Sequence, residues 1–363
     1  MNTDQPTIHV LTPNTYLSNN HYMSCLWSSL DDFNVTVDRY RLDRRYCKIK
    51  SDFFTGKVIH LHWIKEFCKF DFDNRAKTIR AVLGAMRNLL LIKRRGNKVV
   101  WTVHNTFMHE NRFVAIEYLL RYFLSKICDD IIVMSDYSRA EFLRMYGRSH
   151  RIHNIPIGNY IGVYPKTVSK VQARERLKLS LDSKVFLYVG RVQQYKGISN
   201  LLRSFRAIDD PKATLVIAGV CKDFELETEI SEAILADSRI IAHLGFIEDT
   251  EIQYYLNACD WVVLPFKKIL NSASVLLALS FQKPVIVPQK GAITEIVSNS
   301  VQGYCYEEDS ELVRALTRAV ATPQNKWKNM CDEAYKLAQT YDWESIGRKL
   351  HQVYTEAVGS QYE

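Results

Sequence analysis

The sequence predicts an α/β protein of two consecutive doubly wound, Rossmann-like domains facing a central cleft. Three observations lead there. The chain has 363 residues, too many for one ordinary hydrophobic core and suited to two domains of roughly 150–200 residues each. Short β-branched runs alternate with stretches of helical periodicity along its length, as buried parallel strands joined by crossover helices do. Glycines at 190, 219 and 245 each follow a strand-like run, at the strand ends where open α/β sheets bind ligands.

In chain order, the first half shows strand-like runs at Ile8–Leu11, Val35–Tyr40, Val58–Leu61, Val99–Val103, Ile131–Met134 and Ile152–Ile155. Helical periodicity falls between several of them, at Tyr22–Leu30, Arg75–Lys93, Phe113–Ile127 and Ser138–Met145. The segment Gly158–Pro165 breaks the pattern, and a polar helix, Ser169–Leu177, leads into the second series. There the runs are Val185–Val189, Thr214–Ala218, Ile240–His243, Trp261–Leu264 and Val285–Val287, alternating with helices at Ile198–Ile208, Glu225–Leu235, Glu251–Ala258, Ser274–Phe281 and Leu312–Val320. Trp343–Val358 reads as a last amphipathic helix. The expected division is residues 1–165, 166–342 and a terminal helix within 343–363.

Composition narrows the class. With 47% apolar and 24% charged residues, the chain is neither disordered nor a linker. The uncharged stretch Ile269–Gln282 is short of the about 20 apolar residues a spanning helix needs. The N-terminus has no basic start followed by an apolar block, so no signal peptide is expected and the cytoplasm is the default location. Eight cysteines stand singly, with no metal-binding spacing, and read as reduced core thiols. Residues 1–165 carry 24 Lys and Arg against 15 Asp and Glu, whereas the remainder carries 24 against 25. The basic excess therefore lies in the first half, and something acidic is expected to meet it.

The strongest motif is Leu187-Tyr-Val-Gly190-Arg191-Val-Gln-Gln-Tyr-Lys196-Gly197. A strand ends at Gly190, a loop carries two cations, and Gly197 opens a helix whose free N–H groups favour an anion. Arg191 can grip phosphate oxygens bidentately and Lys196 adds a point charge, so the motif reads as a diphosphate site. It is neither G-x-G-x-x-G nor a Walker A loop, which disfavours dinucleotide binding and ATP hydrolysis. Ala218-Gly219, His243-Leu-Gly245-Phe246-Ile247, Cys259–Pro265, Asn271-Ser-Ala-Ser274, Lys283–Pro288 and Gly291-Ala-Ile-Thr-Glu295-Ile-Val follow in order.

This series resembles the donor domain of GT-B-fold glycosyltransferases of the large group that carries G-R…K-G, then P-S…E-A, then G-x-x-E-I-V. Trp101-Thr-Val-His104-Asn105, Ser135 and Asn154-Ile-Pro156-Ile-Gly158 look like the acceptor-domain landmarks, and Asp342-Trp343-Glu344 opens what resembles the final helix that crosses back to the first domain. The resemblance implies a nucleotide-sugar donor on the second domain, held by Gly190, Arg191, Lys196, Gly219, Phe246, Ile247, Asn271, Ser272, Ala273, Ser274 and Glu295. It implies an acceptor on the first, where His21, His62, Trp63 and Asn105 are candidates.

One departure is informative. Most of the group has two glutamates separated by seven residues; Ile269 and Leu277 occupy those positions. The surrounding pattern, with Val58-Ile-His60-Leu-His62-Trp63 and His104-Asn105…His109-Glu110, resembles a bacterial branch of GDP-mannose-dependent β-mannosyltransferases that build exopolysaccharide on a lipid carrier. That resemblance implies inversion, for which a base must take the acceptor proton. Glu110 and His109 are the candidates, with His104 contacting the donor sugar. His60, His62, Trp63, His104, Asn105, His109 and Glu110 are expected to line the cleft at two strand ends. Asn271, Ser272 and Ser274 can hold diphosphate or simply cap a helix.

Asp71-Phe-Asp73 matches the D-x-D metal tripeptide but precedes a basic helix and reads as N-terminal helix charge; no metal and no other cofactor is expected, the sugar nucleotide being a substrate. The segment Arg75–Lys98 has eight cations and no acid. Arg80, Arg87 and Arg94 share one face, expected to dock on an anionic membrane surface, while Ile79, Val82, Leu83, Met86 and Leu90 form another, expected to pack on the core. The reading is thus a peripheral enzyme on the inner face of the membrane, transferring a sugar to a lipid-linked saccharide. A UDP-sugar donor, a retaining mechanism and a catalytically degenerate partner subunit are the alternatives. No nucleic-acid-reading signature accompanies the basic face.

Overall fold

The computed structural model describes residues 7–13, 20–40, 56–107 and 112–359. They form two units, one holding the chain up to Gly158 together with the segment from Trp343, the other Asn159–Asp342. The break thus falls ahead of the residue 165 suggested by sequence. Each unit is built on a six-stranded sheet in which every pairing is parallel.

In the first unit the strands are β1 (Ile8–Pro13), β2 (Val35–Tyr40), β3 (Val58–Leu61), β4 (Lys98–Thr102), β5 (Asp130–Val133) and β6 (Ile152–Asn154), in the order β2-β1-β3-β4-β5-β6. Helices α1 (His21–Ser28), α2 (Ile64–Phe67), α3 (Arg75–Arg94), α4 (Val114–Ile127) and α5 (Asp136–Tyr146) connect them. Side chains alternate across the pleat. Leu11, Ile59, Leu61, Val99 and Trp101 therefore meet α3 and α4 in one core, while Val10, Val58, Val100 and Ile132 meet α1 and the last helix of the chain in another. That helix, α14 (Trp343–Gly359), buries Ile346, Leu350, Val353 and Tyr354 in the second core. Gly347 allows the close approach: a methyl group there would collide with the carbonyl oxygen of Ser29, just past α1.

Helix α3 corrects the sequence reading. Its buried stripe is Thr78, Val82, Ala85, Leu89 and Ile92, whereas Ile79, Leu83 and Leu90, expected in the core, are exposed. Apolar side chains lie on more than one side of this cationic helix, and only the neighbouring sheet decides which of them are buried. Asn74 caps α3, its side chain accepting from Lys77 N at 3.0 Å. Asp71 lies 3.4 Å from Lys77 and Asp73 3.3 Å from Arg112. Part of the basic excess is structural. Arg148 is buried and donates to the carbonyls of Ser125, Cys128, Asp129, His150 and Arg151.

The second unit runs α6 (Lys170–Arg176), β7 (Lys184–Val189), α7 (Ile198–Arg206), β8 (Ala213–Ala218), α8 (Phe224–Ala236), β9 (Ile240–His243), α9 (Ile252–Ala258), β10 (Trp261–Val263), α10 (Ala273–Ser280), β11 (Val285–Pro288), α11 (Ile293–Ile296), β12 (Gly303–Tyr306), α12 (Leu312–Val320) and α13 (Gln324–Gln339). The strand order β12-β11-β10-β7-β8-β9 reverses direction between β7 and β10. The polar helix α6 is anchored through buried Arg174, which pairs with Asp260 at 2.8 Å. Four elements escaped the sequence reading, among them the four-residue helices α2 and α11. Strand β12 is a four-residue edge that opens on glycine, and α13 buries only the narrow stripe Met330, Cys331, Ala334 and Ala338, which carries little apolar signal.

Candidate active site

Parallel strands present all their C-terminal ends at one edge, and ligands bind there where the strand order reverses. In the second unit the reversal lies between β7 and β10. Gly190 and Arg191 follow β7, and Arg191 is exposed; its carbonyl accepts from the Tyr188 hydroxyl at 2.6 Å. Lys196 ends a short 3-10 turn, Gln194–Lys196. Its ammonium lies 4.3 Å over the Phe266 ring and 5.1 Å over Tyr195. Burial, and then the neighbouring Arg191 charge, lower the Lys196 pKa to about 8. Gly197 is left-handed, with φ +79, and a methyl group there would strike the carbonyl of Pro265 after β10. The loops after β7 and β10 therefore touch, which brings Lys196 against Phe266.

The other donor candidates fall at the same edge. Gly219 follows β8, its N–H donating to His243 O at 3.1 Å and its carbonyl accepting from Gly245 N at 3.2 Å. Phe246 is exposed and Ile247 half-buried beyond β9. Asn271, Ser272, Ala273 and Ser274 stand at the start of α10, where the Ser272 hydroxyl is buried and accepts from Val275 N at 3.3 Å as the helix cap. Glu295 is exposed on α11. Ile269 and Leu277 hold no carboxylate near this helix.

In the first unit, pleat alternation aims His60, His62, Thr102 and His104 at the face covered by α1 and α14. The structure separates them into two groups. His60 is fully buried, with Nδ1 2.6 Å from the Tyr354 hydroxyl and Nε2 2.7 Å from Thr102 Oγ1. It ties α14 to the sheet and does not line an open surface, which corrects its place among the expected cleft residues. His62 Nδ1 lies 3.0 Å from His104 Nε2. Trp63 stacks on His104, ring centroids 4.2 Å apart and planes 14° apart, and Tyr22 meets the same ring edge-on at 5.3 Å. Burial lowers the pKa of His60 and His104 to about 3 each and holds His62 well below its ordinary value; the neighbouring imidazoles add to the shift at His60 and His62. All three are neutral at pH 7, and a pKa near 3 makes His104 too weak a base to remove a proton efficiently, so it is suited to hydrogen bonding.

Buried Arg121, paired with Glu117 at 2.6 Å, donates to Asn105 O at 2.8 Å and holds the segment that bears His104. His21 opens α1, half-buried. His109 and Glu110, the candidate bases, lie outside the described residues. Sequence reasoning missed Tyr22, Trp343 and Glu66. Tyr22 joins Trp343 to the ring cluster, at 6.0 Å. Glu66 is buried behind Trp63, whose N–H lies 3.4 Å from its carboxylate; burial raises its pKa to about 7, against smaller lowering contributions from the Trp63 N–H and Lys65. No pattern in Ile64-Lys-Glu-Phe distinguishes Glu66 from a surface charge. Among the described residues, no group of three or more His, Cys, Asp or Glu side chains could hold a metal ion.

Residues 169–337 match the family model for glycosyl transferases group 1, so the second unit is a group 1 glycosyl transferase domain, and the chain is a glycosyltransferase of GT-B fold. Among its relatives, it is 27% identical over 365 residues to a GDP-mannose:glycolipid 4-beta-D-mannosyltransferase of Xanthomonas campestris pv. campestris, covering 98% of this chain and 94% of that one. It is 23% identical over 277 residues to an alpha-monoglucosyldiacylglycerol synthase of Streptococcus pneumoniae, covering 72% of this chain and 61% of that one. In fold it resembles sucrose-phosphate synthase from Thermosynechococcus elongatus, with TM-score 0.76, 16% identity, and coverage of 98% and 100%. It likewise resembles Anabaena HepE in complex with UDP, with TM-score 0.74, 17% identity, and coverage of 97% and 100%.

Proposed function

We propose that this chain transfers mannose from GDP-mannose, with inversion, to a lipid-linked saccharide at an anionic membrane surface, in the synthesis of bacterial exopolysaccharide or capsule. The observation that carries the reading is the similarity to the glycolipid mannosyltransferase, which runs through nearly the full length of both chains. Ile269 and Leu277, standing where a glutamate pair is expected, favour inversion. In this reading the acceptor hydroxyl attacks the anomeric carbon as the bond to the diphosphate oxygen breaks. A base, His109 or Glu110, takes the hydroxyl proton, and neutral His104 hydrogen-bonds the donor sugar. Arg191, Lys196 and the helix N-termini at Gly197 and Ser272 stabilise the charge of the departing GDP, a preorganised electrostatic role that supplies the neutralisation a metal would otherwise give. Gly190, Gly219, Phe246, Ile247, Asn271, Ala273, Ser274 and Glu295 complete the donor site, and His21, His62, Trp63 and Asn105 meet the acceptor. The enzyme works as a peripheral protein on the cytoplasmic face of the membrane.

The test compares GDP, UDP and their sugars by calorimetry, then transfer from GDP-mannose to a lipid-diphosphate saccharide, with and without chelator. The reading predicts tighter binding of GDP than UDP, chelator-resistant turnover and a β-anomeric proton signal in the product. Preference for UDP, or an α-mannosyl product, refutes it.

A further inference from the structure

The stripe of α3 opposite its buried side is Arg80, Leu83, Arg87, Leu90 and Arg94, spaced alternately by three and four residues. Positions spaced so lie on one helix face, and here that face points away from the core. Leu83 is 60% exposed and Leu90 42%, so the stripe alternates guanidinium and leucine over about 21 Å of helix. The neighbouring helix α4, which shares the same core, repeats the mixture. Its outward row is Leu119, 60% exposed, then Tyr122 and Lys126, with the ammonium 5.0 Å over the Tyr122 ring.

We infer that this α3–α4 face seats in the headgroup layer of an anionic bilayer with Leu83, Leu90 and Leu119 inserted beyond the phosphates. The inference deepens the proposed membrane-surface function and rests on it for its purpose. Charge alone accounts for arginines on a solvated helix; it does not account for leucines between them on the side facing away from the protein, where water would meet them. In a bilayer both side chains are satisfied. Arginine stems lie along the apolar boundary while their heads reach back to the phosphates, and leucines enter the acyl region by the 5–10 Å typical of interfacial helices. Tyr122 suits the headgroup level, where one end of the side chain is apolar and the other wet. A second copy of this chain would set arginine against arginine, so charge complementarity selects an anionic lipid surface.

Insertion and attraction differ in their response to salt. Attraction is screened within about 10 Å at 0.1 M salt and far less distance at higher concentration, whereas apolar insertion is not screened. The full chain is sedimented with phosphatidylcholine vesicles with and without phosphatidylglycerol, at about 0.1 M and about 0.5 M NaCl. The expected result is binding to the anionic vesicles that weakens but persists at the higher salt. Leu83→Ser, Leu90→Ser and Leu119→Ser together should remove the persistent part, a loss of about tenfold or more in partitioning, while the Gln variant of Arg80, Arg87 and Arg94 removes the salt-sensitive part. The serine variant should keep the wild-type melting temperature and transfer to a short soluble acceptor. Complete release of the wild type by salt, with the serine variant indistinguishable from it, overturns insertion. A wild-type dimer that the serine variant dissociates, without vesicles, assigns the face to a protein partner and overturns the inference as well. Vesicle binding is read without turnover, so a failure of the donor or acceptor assignment would show separately, as absent transfer to either acceptor.

Discussion

Lys196 is a cation held against an aromatic ring, in the loop proposed to bind the donor diphosphate. With its pKa lowered to about 8 by burial and by Arg191, it is mostly charged at pH 7 and neutral at pH 9. Diphosphate binding should therefore weaken as pH rises through 8, by up to a factor of ten per pH unit, and a GDP titration by calorimetry between pH 7 and 9 reads it directly. Lys196→Ala should remove that pH dependence and cost about 2–4 kcal/mol in transition-state stabilisation, with Arg191→Ala similar; kcat/KM at constant melting temperature is the measurement. Glu66 makes a different prediction. Burial raises its folded pKa to about 7 from the ordinary value of 4.5. Stability from this group is fully present below pH 4.5 and is lost as pH rises through 7. Glu66→Gln should thus melt higher than the parent at pH 8 and alike at pH 4. The buried histidines act oppositely in both proteins. Their folded values are depressed, so their contribution is present above pH 6.5 and declines as pH falls toward 3.

At the scale of elements, α14 is the informative case. It comes last in sequence yet completes a core opened by β1 and β3. Each fully buried Leu, Ile or Val on it contributes about 1.5–3 kcal/mol. Two features fix its position: Gly347 against the Ser29 carbonyl, and the Tyr354 hydroxyl on His60. Gly347→Ala should push the helix off its seat and cost about 1–3 kcal/mol. Tyr354→Phe leaves the buried His60 Nδ1 without its partner, at a cost of about 1–3 kcal/mol. Both variants should melt lower than the parent while binding GDP with unchanged affinity, because the donor candidates belong to the other unit. Reduced GDP affinity at full folding would contradict that division.

For the molecule as a whole, the two units carry separate cores, and only the first draws on both ends of the chain. Residues 159–342 expressed alone should fold cooperatively and retain GDP binding, checked by calorimetry. A chain ending at Asp342 should fail differently. It exposes the sheet face of Val10, Val58, Val100 and Ile132 that α14 covers, so it should aggregate or be proteolysed within its first half while the second unit survives as a resistant fragment on a gel.

The sequence by itself determined the alternation of strands and helices, because buried parallel strands must be continuously apolar and crossover helices amphipathic. It also determined the strand-end loop with Arg191, Lys196 and Gly197, since a local motif carries its own geometry. What it left undecided depends on which element packs where. Helix α13 and strand β12 are too short or too sparsely apolar to announce themselves, and only their neighbours make them regular. His60 and His62 look alike two residues apart, yet one meets Tyr354 from the far end of the chain and the other meets His104. Glu66 acquires its raised pKa from burial behind Trp63, a property of surroundings rather than of residue type. The sequence reading drew the apolar stripe of α3 through Ile79, Val82, Leu83, Met86 and Leu90; the sheet took Val82, Ala85, Leu89 and Ile92, and left Leu83 and Leu90 facing outward, because a helix can turn only one side to its core.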